Sequence, residues 1–336
     1  MENKLLQDLT ALSDWIQSKP DELELAKLKS QRDNHWFTQE FMNLALDNIC
    51  NQFLNGDKLR SWNANYSKKS SSKKRVGLIM AGNLPLVGFH DWLSVMNSQH
   101  FAKVKLSSKD KHLFPALLSF LNTLDPKWRD RTEIVDRLTD IDAIIATGSN
   151  NSNRYFSYYF GHLPHIFRSH RNAAAVITSD ISDEELENLG EDVFAYFGLG
   201  CRSVSLCFIP EGFDEDRLFT AWTKFNHLRE HSKWDNNFRY NYATYLMNNE
   251  PFRTNDVIIL RDADQLSSRI ACLHMKTYRN AEEVDDYVQQ HIRQIQTLVG
   301  RSNIVGVPVV GFGKSQQPSL SDYADRVDTM EFLTKL

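Results

Sequence analysis

Apolar residues follow two regimes along this chain. Through about residue 55 they recur at helical spacing. Leu5, Leu9, Leu12 and Trp15-Ile16 mark one helix, Pro20 interrupts, and Asp21-Glu22 suits the first turn of a second. Phe37 to Phe53 is a third amphipathic run, and the whole lead-in reads as packing material. From Val76 onward, short apolar runs alternate with helical ones. Strands are predicted over Val76–Met80, Phe101–Leu106, Ile141–Ala146 and Ala173–Thr178. Helices are predicted over Leu84–Asn97, with Pro85 in its first turn, over His112–Leu124 and from about Asn151. Asp183 is read as the cap of a helix that runs into Tyr196-Phe197-Gly198-Leu199-Gly200-Cys201-Arg202-Ser203, with a strand over Ser203–Ile209. Arg217–Asn249 is expected to be largely helical. Asp256–Leu260, Ile270–Met275 and Val307–Val310 are read as strands, and Ala281–Leu298 as a helix.

Strands alternating with helices indicate βαβ units and a parallel sheet. Open parallel sheets bind ligands at the carboxyl ends of their strands. Here those ends are Ala81-Gly82-Asn83, Lys105-Leu106-Ser107-Ser108 and Thr147-Gly148-Ser149, all polar or glycine-bearing. This half therefore looks like a nucleotide-binding domain, although G-x-G-x-x-G is absent. Gly148-Ser149 before a helix could cradle a pyrophosphate. Asn83 either caps the following helix or donates a hydrogen bond to a developing oxyanion.

Composition narrows the class. The 336 residues are 41% hydrophobic and 24% charged, which suits a soluble globular protein of about two domains. A formal net charge of −4 argues against a general binder of nucleic acid or anionic membranes. The tract Lys68-Lys69-Ser70-Ser71-Ser72-Lys73-Lys74-Arg75 is read as a solvated loop, with phosphate binding as the lesser reading. No N-terminal basic-then-apolar signal and no membrane-length apolar run occurs, so a cytoplasmic protein without a membrane span is expected. Cys50, Cys201, Cys207 and Cys272 are scattered without C-x-x-C, so neither zinc nor a disulfide framework is suggested. His227 and His231 have metal-pair spacing but no evident third ligand, and no metal is expected. No G-x-S-x-G appears.

Cys201 has glycine one and three positions before it and arginine just after. Glycine there lets another molecule approach the backbone. A neighbouring cation favours thiolate, and a free cysteine is only about 3% ionised at pH 7. The competing reading is a buried, inert cysteine.

Taken in order, these segments resemble the aldehyde dehydrogenase superfamily, and more narrowly the LuxC-type fatty acyl-CoA reductases. Ala81-Gly82-Asn83-Leu84-Pro85-Leu86 resembles the segment bearing that family's oxyanion asparagine. Val104-Lys105-Leu106-Ser107-Ser108-Lys109-Asp110 resembles the stretch whose lysine contacts the cofactor's adenosine ribose. Thr147-Gly148-Ser149 resembles the helix start beneath the cofactor's phosphates, and Phe197–Ser203 the nucleophile segment. Gly311-Phe312-Gly313 and Asp322-Tyr323-Ala324-Asp325 resemble the reductases' C-terminal run. The matches span about residues 75 to 330.

The resemblance implies an α/β fold of aldehyde-dehydrogenase type: a Rossmann-type cofactor domain, an α/β catalytic domain and a helical N-terminal lead-in. Residues 1–180 would comprise the lead-in and the cofactor domain; residues 181–330 would carry the cysteine and a C-terminal tail. It implies NADPH-dependent reduction of a long-chain acyl-CoA to the fatty aldehyde through an acyl-cysteine, with coenzyme A as leaving group. Cys201 and Asn83 would be catalytic. Lys105, Ser107, Ser108, Thr147, Gly148 and Ser149 would seat the cofactor. His170 is read either as a structural histidine or as proton donor to the departing thiol. A homo-oligomer and a protein partner supplying acyl groups are further expectations.

Two departures sharpen this reading. The glutamate-leucine-glycine-glycine motif of hydrolytic aldehyde dehydrogenases has Phe167-Arg168-Ser169-His170-Arg171-Asn172 in its place, with no glutamate base. The glutamate-phenylalanine-glycine-proline segment that holds the nicotinamide ribose is not visible near Ser267–Cys272. The aromatic-rich Phe219–Tyr245 is read as core, with an acyl tunnel as the lesser alternative. Other readings of the same apparatus are a CoA-acylating aldehyde dehydrogenase, an acyl-phosphate reductase, an acyl-transfer enzyme without nicotinamide, and a non-catalytic scaffold.

Overall fold

The structure, a computed structural model, describes residues 2–66, 72–301 and 304–336. Lys68 to Ser71 of the basic tract lie outside the described residues. The chain divides into two compact units: residues up to His170 together with Pro318–Leu336, and Arg171–Gln317.

The first unit opens with helices Glu2–Gln17, Asp21–Asp33, Gln39–Asn48 and Gly56–Ala64. Pro20 stands directly before the second, whose first turn carries Asp21, Glu22 and Glu24 beside its positive end. Leu9, Leu12 and Ile16 are buried, as their spacing requires. The sheet comprises β1 (Arg75–Ile79), β2 (Phe101–Lys105), β3 (Thr132–Ile134), β4 (Ala143–Thr147) and β5 (His165–Arg168), in the order β3-β2-β1-β4-β5. All its pairings are parallel. Val76, Leu78, Ile144 and Ile145 are buried, because helices cover both faces of such a sheet. The order reverses beside β1, which makes the β1/β4 boundary a topological switch point.

The last residues of the chain return to this unit. Arg168, buried at the end of β5, donates to both carboxylate oxygens of Asp91 at 3.2 and 2.7 Å and to Thr329 Oγ1 at 2.7 Å. It also donates to the Ala324 carbonyl. Tyr323 accepts from Trp62 Nε1 at 2.8 Å and lies 2.8 Å from the Tyr66 hydroxyl, which donates to Asp328 at 2.6 Å. The Asp322–Asp325 run is thus a strap on the first unit.

The second unit holds β6 (Asn172–Val176), β7 (Val204–Pro210), β8 (Arg253–Thr254), β9 (Ile259–Asp262), β10 (Cys272–Tyr278), β11 (Ile295–Gly300) and β12 (Val309–Val310). Their order is β12-β11-β6-β7-β10-β9-β8, parallel except for the β8–β9 pair. Helix Asp183–Phe194 and the aromatic segment add a layer in which Trp222, Trp234 and Tyr245 are fully buried. Phe194 stacks on Phe225 with centroids 4.5 Å apart, so this stretch is core.

Several expectations need correction. The units divide at His170/Arg171 instead of 180/181, because β6 pairs with β7 and β11. The helix expected from Leu84 begins at Phe89; Leu86 takes φ +56°, which breaks a right-handed helix. The Asp183 helix is capped by Ser182 in a capping box with Glu185, and Asp183 is its first residue. The helix expected over Ala281–Leu298 ends at Gln290. Ile292, Ile295 and Leu298 mimic helical spacing, but residues 295–300 are all buried as β11, between β6 and β12. The strand expected over Asp256–Leu260 starts at Ile259. Strands β3 and β5 were not anticipated; both are short edge strands with one exposed end.

Candidate functional site

The first unit gathers its candidates along one sheet edge. Ile79 of β1 is paired with Lys105 of β2 and Ala146 of β4. The segments that follow, Met80–Asn83, Leu106–Ser108 and Gly148–Ser149, therefore leave the sheet side by side. Gly82 is needed for this: a Cβ there would lie 2.4 Å from Ser107 Oγ. Asn83 is exposed in the turn that follows. The Leu86 N–H donates to the buried carboxylate of Asp110 at 2.7 Å.

Lys105 is exposed, and its Nζ donates to the Asp136 carbonyl at 2.8 Å. Ser107 Oγ accepts the Lys109 N–H at 3.2 Å, folding Ser107–Asp110 into a turn. Gly148 lets helix Asn150–Phe160 start hard against β4, since a Cβ would meet Ser152 at 2.7 Å and Phe156 at 2.9 Å. Ser149 caps that helix by accepting the Ser152 N–H at 3.2 Å. Lysine, serine hydroxyls and a helix N-terminus form a donor set that suits an anionic dinucleotide. The residues present fit such a cofactor. His170, exposed, is the last residue of this unit before the second begins.

In the second unit, Cys201 occupies the turn before β7 instead of the strand itself. The approach is unusual. Tyr196 (φ +55°), Phe197 (φ +55°) and Gly198 (φ +69°) are successively left-handed. Each non-glycine residue in that region costs about 1–2 kcal/mol. Burial holds them there: Tyr196 and Phe197 are both buried, and the Phe197 ring lies 4.3 Å from that of His231. Ser203, also buried, then ties the turn by accepting the Gly200 N–H at 3.3 Å and Gln316 Nε2 at 3.2 Å.

Cys201 is half-buried, and its sulfur accepts the Arg171 N–H at 3.4 Å. The other three cysteines are buried, and burial pushes Cys50 and Cys272 up to about 11 and Cys207 up further. Cys201 is thus the one cysteine of the four that is not buried. His227 and His231 do not share an α-helix: His227 lies in a 3₁₀ segment, and His231 caps helix Ser232–Met247. Among the described residues, no three His, Cys, Asp or Glu side chains group as a metal would need. No helix there is long and apolar enough to cross a membrane.

Sequence reading missed three anchors. Asp110 stands in the sequence only as the end of the Val104–Asp110 segment, with nothing beside it to mark its burial. Arg168 differs from its neighbours Arg171 and His170 by no sequence signal that marks it as buried. Asp192 is fully buried on helix Asp183–Phe194 and accepts the Gly313 N–H at 2.6 Å and the Ser315 N–H at 2.8 Å. Its signal was an acidic residue three positions after Leu189, on the helix's apolar face.

No protein-family profile matches the sequence, and no curated protein matches it either. Solved structures do. Aldehyde dehydrogenase 21 from Physcomitrella patens, in complex with the reaction product succinate, aligns over 99% of this chain and 83% of its own, with 10% identity and a TM-score of 0.69. An oxidoreductase from Marinobacter aquaeolei aligns over 94% of this chain and 78% of its own, at 13% identity and a TM-score of 0.66. The NAD+ complex of an aldehyde dehydrogenase from Bacillus cereus aligns over 91% and 72%, at 13% identity and a TM-score of 0.64. The chain has the aldehyde-dehydrogenase fold, an α/β architecture with a Rossmann-like sheet and a second sheet.

Proposed function

We propose that this protein is a nicotinamide-dependent oxidoreductase of the aldehyde/acyl class, and specifically that it reduces a fatty acyl-CoA to the aldehyde with NADPH. The observation that carries this reading is Cys201, half-buried on a preformed turn with a backbone N–H on its sulfur. The fold, shared with NAD+-binding aldehyde dehydrogenases, supports a nicotinamide partner.

In this reading Cys201 Sγ attacks the thioester carbonyl. The Asn83 amide and the Cys201 N–H hold the oxyanion, as the resemblance implies. The carbon–sulfur bond to coenzyme A breaks, the thiol leaves with a proton, and an acyl-cysteine remains. When bound, the reduced nicotinamide supplies a hydride to the acyl carbon. The Cys201 thiohemiacetal then collapses, expelling the thiolate and releasing aldehyde. Lys105, Ser107, Ser108, Thr147, Gly148 and Ser149 would hold the cofactor.

The lack of a glutamate base supports reduction over hydrolysis. In the segment Phe167–Asn172, Arg168 is bound to Asp91, Thr329 and the Ala324 carbonyl. The test mixes the protein with acyl-CoA and NADPH, follows the nicotinamide absorbance and weighs the protein. Nicotinamide oxidation with an acyl adduct on Cys201 is expected. An acyl adduct without oxidation would replace reduction by acyl transfer, and neither signal would refute the proposal.

A further inference from the structure

Asp110 is a buried carboxyl group that the reaction above does not use. Its Oδ2 accepts the Leu86 N–H at 2.7 Å, and its Oδ1 accepts no hydrogen bond among the described residues. Leu86 is itself buried with φ +56°, a backbone region that a leucine rarely adopts. Asp110 closes the Ser107–Asp110 turn through its own N–H to the Ser107 carbonyl at 3.1 Å. The same side chain therefore joins two turns: the one after β1, which bears Asn83, and the one after β2, which bears Ser107 and Ser108. Ser107 in turn fills the space a Cβ on Gly82 would need.

The second turn is braced from behind. Asn34 Nδ2 donates to the Lys109 carbonyl at 3.3 Å, and Asp33 holds His112 at 2.8 Å and Lys111 at 3.1 Å. The helical lead-in thus fixes the β2 turn, and Asp110 passes that fixity to the β1 turn. A solvent-side loop could satisfy the Leu86 N–H with water. A buried carboxyl with one oxygen left unpaired is an expensive substitute, and its retention needs a geometric reason.

We propose that Asp110 is a positioning residue: it locks Leu86 in the left-handed conformation and thereby fixes the direction of the Asn83 amide relative to the Ser107–Ser108 turn. This rests on the reading of Asn83 as an oxyanion donor, but the lock itself is independent of that reading. Burial also pushes the Asp110 carboxyl up to about 7, so near neutrality it is partly uncharged and suits a site that receives an anionic ligand.

The experiment uses the full chain with Asp110→Ala, Asp110→Asn, Asn83→Ala and the Asp110→Ala/Asn83→Ala pair. Amide hydrogen exchange at Leu86 reads the lock; single-turnover release of coenzyme A from an acyl-CoA reads its consequence. Asp110→Ala should speed Leu86 exchange by at least ~100-fold and slow acylation by ~10–100-fold with little change in KM. Asp110→Asn keeps an acceptor oxygen and should leave both within about threefold. Adding Asp110→Ala to Asn83→Ala should cost less than about threefold more, because both act through one group. Unchanged Leu86 exchange in Asp110→Ala overturns the lock. Altered exchange with full additivity overturns its link to Asn83. A wild-type protein that shows the lock but releases no coenzyme A refutes the proposed reaction and leaves the lock standing. Should Asp110→Ala not fold, Asp110→Leu, close in size but without an acceptor, replaces it: faster Leu86 exchange supports the lock, and unchanged exchange overturns it.

Discussion

The two units use parallel sheets in opposite senses. In the first, the candidate residues come after their strands: Asn83 follows β1, Ser107 and Ser108 follow β2, and Gly148-Ser149 follow β4. In the second, Cys201 comes before its strand, and Arg171, whose N–H reaches the sulfur, comes just before β6. The first arrangement uses what any parallel strand offers at its carboxyl end: a glycine turn and a helix N-terminus with unpaired N–H groups. The second must build its turn. Left-handed Tyr196 and Phe197 are held by burial, and the Gly311–Gln317 loop returns through Asp192 and Ser203. The first unit's candidate turns start from strand-end geometry and are braced by Asp110, whereas the turn bearing Cys201 is tied by the returning Gly311–Gln317 loop.

This contrast breaks most severely at the sulfur. Cys201→Ala should abolish the acyl adduct and lower reductase turnover by more than ~1,000-fold, while cofactor fluorescence titration stays near wild type. Full turnover in that variant would make the built turn a structural feature only. The next largest effect lies in the first unit and concerns stability. Arg168→Ala leaves Asp91, 14% exposed, without its buried partner, and should lower unfolding free energy by about 3–5 kcal/mol in urea titrations. A loss below about 1 kcal/mol would mean that the C-terminal strap holds without its clamp. Asn83→Ala, at an exposed position, should leave stability unchanged and reduce kcat by ~100–1,000-fold, about 3–4 kcal/mol. An unchanged kcat would confine the first unit's edge to cofactor binding.

Local rules account for what the sequence made readable. The helical lead-in, β1, β2, β4 and β7 follow from apolar spacing, and Cys201 stood out through the glycines beside it. What stayed hidden depends on partners far away in sequence. Nothing near Leu86 says that Asp110 will hold it left-handed, so a helix was read through Leu84–Gly88. Nothing near Ile295 says that strands will flank it on both sides, so helical spacing was read where a fully buried strand lies. The boundary at 180 failed for the same reason: β6 looks like the next strand of the first sheet until its pairing with β11, more than 100 residues on, is known. The missed anchors Asp110, Arg168 and Asp192 are ionisable residues whose burial only the fold creates.

The smallest effect separates the two buried carboxyl groups by pH. Burial raises Asp192 to about 6 and Asp110 to about 7, from 3.8 for both. A raised acid keeps its proton in the folded state after the unfolded chain has lost it. Stability from each group is therefore full below about pH 4 and falls as pH rises to the folded value. Asp192 in the second unit should stop contributing to this slope near pH 6, while Asp110 in the first continues to about pH 7. The buried histidines His100 and His274, lowered by desolvation, act in the opposite direction, losing stability as pH falls below their unfolded value. Subtracting the Asp110→Asn curve from wild type removes both histidines and Asp192 and leaves Asp110 alone. The difference should change by about 1 kcal/mol between pH 6 and pH 7, with wild type the one that weakens. A flat difference would mean that Asp110 is ionised throughout that range and that burial raises it less than this.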